Sequence, residues 1–138
     1  MEKLIIGIDL CDNYTQAAVL GREDAWMLPT VICRKKAAEE WYVGEDAYKY
    51  TLVGEGVIVD KLLSLAAKEG TSTIGGVKYG GMELLQRFLG SILAMVRAEY
   101  GGQKIDDLVI SLKNMEMKLL EGLTASVEAL GVPKGCIH

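Results

Sequence analysis

Histidine is almost absent from this chain, and the one copy, His138, is its last residue. Paired-histidine zinc motifs and Ser-His-Asp relays are therefore excluded. Cysteine is scarce too: Cys11, Cys33 and Cys136 are odd in number and far apart. That spacing fits reduced thiols better than a disulfide framework or a zinc knuckle. Basic residues are not in excess, with fifteen Lys and Arg against nineteen Asp and Glu and a formal charge of −4. The balance argues against a nucleic-acid-binding surface. No apolar run approaches the roughly 20 residues that span a bilayer, and the N-terminus lacks the pattern of a cleaved signal. The expectation is a cytoplasmic protein with neither nucleic acid nor membrane as partner. A P-loop is missing as well, because Gly75-Gly76 is followed by no Lys-Ser/Thr at the required spacing.

What the chain does have is enough apolar sequence for one ordinary domain: 138 residues, 50% hydrophobic and 25% charged. Residues 4–8 form a short apolar run that reads as a strand buried on both faces. Asp9 ends it, Asp12-Asn13 supply turn chemistry, and residues 16–21 read as a returning strand. Residues 25–28 form a third run limited by Pro29, and residues 31–34 and 41–44 are β-like on either side of a polar excursion. Glu45 to Leu52 reads as a short helix with acids in its first turn. Val57-Ile58-Val59 is taken as the slow start of a helix carried on by Leu62, Leu63, Leu65 and Ala66, with Gly70 as its cap.

Gly75-Gly76 between β-prone residues predicts a tight hairpin. Leu84, Leu85, Phe88, Leu89, Ile92, Met95 and Val96 then give one apolar face of a long helix over 81–100. Gly90 inside it suggests a close helix contact, and Gly101-Gly102 ends it. Residues 107–112 read as a second buried strand, parallel to the first because a helix precedes it. Asn114 is placed as the cap of a final helix with Leu120, Leu123, Val127 and Leu130 on one face, and residues 135–138 begin another strand.

The stretch Gly7-Ile8-Asp9-Leu10-Cys11-Asp12-Asn13-Tyr14-Thr15 resembles the first phosphate loop of the superfamily of DnaK-type heat-shock chaperones, actin and sugar kinases. That loop usually reads Gly-Ile-Asp-Leu-Gly-Thr-Thr-x-Ser, and the two align without a gap. Leu28-Pro29-Thr30-Val31 and Tyr42-Val43-Gly44-Glu45-Asp46-Ala47 are similar to the chaperones' Thr-Pro-Ser-Val and Val-Gly-x-x-Ala, in the same order. A small hairpin before a long helix, and a strand and helix leading to Ala129-Leu130-Gly131-Val132, also follow the family's order. The resemblance implies an α/β, ribonuclease-H-like lobe of the actin-type ATPases. Its expected form is a mixed five-stranded sheet, three antiparallel strands and then parallel ones, flanked by helices and joined by a small β-hairpin. Residues 1–138 would be a single N-terminal lobe, the first part of a longer protein.

On that resemblance Asp9, Leu10, Cys11, Asp12, Asn13, Tyr14 and Thr15 would surround the phosphates of ATP, with Asp9 holding Mg²⁺ through water and Thr15 in the place of the family's serine. Lys61 falls near the family's catalytic lysine. The loop's own chemistry opposes this. Cys11 stands where a glycine would let phosphate approach the backbone. Asp12 replaces a threonine donor with an anion, and two like charges about 4 Å apart cost ~4 kcal/mol at an effective dielectric of about 20. The expected function is a degenerate nucleotide-binding lobe that does not hydrolyse ATP alone, since one lobe lacks most of the positioning and charge neutralisation of phosphoryl transfer. The alternative is a non-enzymatic interaction or assembly module on the same scaffold, its partner a second ATPase lobe, another protein or another copy of the chain.

Overall fold

The computed structural model describes residues 4–112, 117–130, 132 and 136–137. In chain order, the first half comprises β1 (Ile5–Leu10), β2 (Tyr14–Val19), β3 (Ala25–Pro29), β4 (Ile32–Lys35), β5 (Trp41–Val43), α1 (Glu45–Leu52) and β6 (Gly56–Val59). The second half comprises α2 (Leu62–Ala67), β7 (Thr71–Ile74), β8 (Val77–Gly80), α3 (Gly81–Glu99), β9 (Asp107–Leu112), α4 (Met117–Ala129) and β10 (Cys136–Ile137). The class is α/β with a mixed sheet, as expected. Its five strands run in the order β10-β9-β1-β2-β3. The first three are antiparallel, and β9 and β10 run parallel to β1. Among the described residues no helix is long and apolar enough to cross a membrane.

The alternation along β1 decides where the core lies. Ile6, Ile8 and Leu10 are buried, Ile5 and Gly7 are half-buried, and Asp9 is exposed. The strand expected to be buried on both faces is covered on one, the pattern of a half-solvated sheet. Ala17, Val19, Leu108 and Ile110 join the same covered face, against Leu85, Phe88, Leu89 and Ile92 of α3. The α3 stripe follows the predicted spacing with one exchange: Met95 is 37% exposed, while Leu93 is buried. In α4 the buried positions are Leu119, Leu123, Ser126 and Val127, so Leu119 rather than Leu120 faces the core. The expected cap at Asn114 lies outside the described residues.

Two further departures have local causes. Val57, Ile58 and Val59 do not begin a helix; they form β6, paired antiparallel with β4 in a separate three-stranded sheet of order β5-β4-β6. Three successive β-branched side chains resist helical χ1 restriction and fit a pleated strand. Lys61, in the left-handed region at φ 50°, then turns the chain into α2. At the other end of α2 the left-handed cap residue is Glu69, at φ 54°, and not Gly70. The N–H of Gly70 reaches the Leu65 carbonyl and that of Glu69 the Ala66 carbonyl, the paired bonds of a Schellman motif. Gly75 and Gly76, at φ 60° and 78°, form the predicted turn between β7 and β8.

Candidate functional site

Loop 1, residues 11–13, joins β1 to β2 and is held by Thr30. The Thr30 hydroxyl donates to the Cys11 carbonyl, its N–H donates to the Asn13 carbonyl, and its hydroxyl oxygen lies 2.7 Å from that of Thr15. Thr15 is therefore fully buried, and its hydroxyl is engaged in tying β2 to the segment after β3.

Asp12 makes the contact that defines the loop. One oxygen of its carboxylate accepts the Leu63 N–H at 3.0 Å and the Ser64 N–H at 3.2 Å; the other accepts the Ser64 hydroxyl. Helix α2 has Lys61 at its N-cap and no capping side chain of its own. Asp12 supplies that cap from 51 residues away, satisfying two of the amides a helix start leaves unpaired and placing negative charge where the helix dipole favours it.

The structure divides the other predicted residues between different surroundings. Asp9 is exposed, and the Cys11 thiol donates to it, with the sulfur 3.9 Å from a carboxylate oxygen. Leu10 is buried in the core. A cavity of about 280 Å³ lies beside the loop, walled by Leu10, Leu63, Ala67, Leu112 and Leu119, with Cys11, Asp12, Asn13 and Ser64 at its polar side. On the other side of the loop a cleft of about 290 Å³ brings Asp12, Asn13 and Tyr14 together with Tyr48, Asp60 and Lys61. Lys61 thus borders loop 1 despite lying far along the sequence, whereas Asp9 lines neither space.

Around loop 1 several polar groups are already engaged within the chain. The α2 amides nearest to it are already bonded to Asp12, and Thr15 has no free hydroxyl. No group of three or more His, Cys, Asp or Glu side chains able to hold a metal occurs among the described residues. Sequence reasoning missed Ser64 and Thr30 as members of the loop's network; the signal for Ser64 was its place in the first turn of α2, where a hydroxyl and a free amide coincide.

A second polar cluster lies on the small sheet. Lys35 bonds Glu40 at 2.9 Å, Tyr42 donates to the same carboxylate oxygen at 2.9 Å, and Tyr42 stacks on Tyr50 with ring centroids 3.9 Å apart. The neighbouring Tyr50 hydroxyl and then Glu40 push the Tyr42 pKa up to about 12. The hydrogen bond with Lys35 and then that with Tyr42 hold Glu40 below the ordinary carboxylate value, while the bond to Glu40 raises Lys35.

Residues 13–138 match the family described as family of unknown function (DUF5716), C-terminal. No curated protein matches the sequence.

Proposed function

The chain belongs to the DUF5716 C-terminal family, and we propose that it is a degenerate, ribonuclease-H-like lobe of the actin and DnaK type, closed to nucleotide and working through contacts with other proteins. The observation that carries this is Asp12. The Asp12 carboxylate is held on the first amides of α2 beside loop 1, which supports this reading by setting a fixed negative charge against any phosphate that approached the loop. A phosphate that used those amides would have to break their bonds to Asp12 and approach a like charge. Cys11 adds a side chain where a phosphate loop needs bare backbone. Lys61 at the loop's edge then serves as a turn residue, not a catalyst.

Contacts with a second lobe, another protein or another copy fall in this proposal on the uncovered side of the five-stranded sheet, near Tyr14 and Met27, which are 55% and 67% exposed. A reducing, cytoplasmic setting belongs to the same proposal, since Cys33 is a fully buried free thiol. Titration calorimetry of MgATP into the folded chain tests it. The expected result is no saturable heat, and a dissociation constant tighter than about 1 mM would overturn it.

A further inference from the structure

We propose that the cavity beside loop 1 binds a small, neutral and mainly apolar group, an inference that rests on loop 1 being closed to nucleotide. The argument begins with the polar groups that face the cavity. The Asp12 carboxylate and the Ser64 amide and hydroxyl are bonded to each other, so their strongest hydrogen-bonding capacity is already satisfied. A well-held water needs about two to four polar partners. Here it meets the Asn13 amide and the weakly bonding Cys11 thiol at the edge, and otherwise the half-buried side chains of Leu63, Ala67 and Leu112, with Leu10 and Leu119 beneath them. Water so placed is poorly held, and replacing it with an apolar group is favourable.

Charge and size narrow the ligand further. Asp12 at the polar side disfavours an anion, and its two oxygens already accept three hydrogen bonds from α2, so a cation would have to compete for acceptors that are in use. An engineered apolar cavity of about 150 Å³ holds benzene; at about 280 Å³ this one has room for a fused two-ring group. Asn13 stands at the same edge, where its amide can meet one polar atom of the ligand. Most pockets combine apolar walls with a few such groups that set orientation.

Indole is the probe that matches these features, with one N–H on a two-ring frame. Amide chemical shifts of the isotope-labelled chain are recorded during titration with indole and, separately, with MgATP. The expected result is saturable movement of the amides of residues 10–13 and 63–67 with indole alone. Ala67→Phe, which fills the cavity from its wall, is expected to weaken that binding about tenfold or more. Leu52→Ala, at an exposed position that does not line the cavity, is expected to retain it. Scattered or absent shifts with indole would overturn the inference while leaving the closed-loop function standing. Saturable shifts of the same amides with MgATP would overturn both.

Discussion

Asp12 and Lys61 border one cleft, and the chain treats them in opposite ways: one is satisfied by its surroundings, the other is held in a conformation that side chains avoid. Replacing Asp12 by Ala removes the side-chain cap of α2 and leaves the Leu63 and Ser64 amides without it. The expected loss of stability is about 1–2 kcal/mol, read from urea unfolding midpoints, with Asp12→Asn losing less because its oxygen still accepts. Lys61 lies at φ 50° and ψ 46°, where an L-residue costs roughly 1–2 kcal/mol. Lys61→Gly is therefore expected to be more stable than Lys61→Ala by about 1 kcal/mol, a comparison that cancels the loss of the side chain itself. Equal stabilities would mean the left-handed conformation carries no strain. At this scale the sequence is informative about type and silent about partner. Asp12 is visible as an acid where a threonine would serve phosphate, but its bond crosses 51 residues, and nothing local to loop 1 identifies Ser64.

Elements were legible where one local rule dominates. The Gly-Gly turn, the α3 stripe and the glycines that end α3 follow from backbone freedom and from period, and each occurs where expected but for the exchange of Met95 for Leu93 in the stripe. The start of α2 was not legible, because Val57-Ile58-Val59 is apolar at a spacing compatible with either element, and only pairing with β4 selects the strand. Glycines within α3 show how packing adds information that propensity lacks. A Cβ on Gly81 would lie 2.7 Å from the Ala66 nitrogen and the Leu65 carbonyl carbon, backbone atoms that cannot turn aside. Gly81→Ala should thus force α2 and α3 apart and destabilise the fold by about 1–3 kcal/mol. A Cβ on Gly90 would lie 3.1 Å from the end of the Leu130 side chain, which can rotate. There the gain in helix propensity, about 1 kcal/mol, offsets the contact, and Gly90→Ala should stay within about 1 kcal/mol of the parent. Thermal or urea midpoints of the two variants, measured side by side, check the contrast.

For the whole molecule, the order of elements carried the sheet: a helix between two apolar strands implies that β9 runs parallel to β1, and it does. It did not carry the separate three-stranded sheet, or the one-sided covering of β1 that buries Leu10 and exposes Asp9. That separate sheet carries the Lys35–Glu40–Tyr42 cluster, a determinant of stability against pH. Glu40 is shifted down, so its contribution is present above the ordinary carboxylate range and fades as pH falls through its lowered pKa. Lys35 and Tyr42 are shifted up, so theirs is complete at neutral pH and fades as pH rises. For Tyr42 the window is defined: the unfolded phenol ionises near 10 and the folded one at about 12, so stability falls across that interval. Unfolding midpoints in urea should accordingly decline between pH 10 and 12. Tyr42→Phe removes the phenol that the fold keeps protonated, and its decline over the same interval should be shallower than the parent's. Parallel curves for the two proteins would place the alkaline loss elsewhere, with Tyr100, raised by its bond to Asp24, the next group to replace.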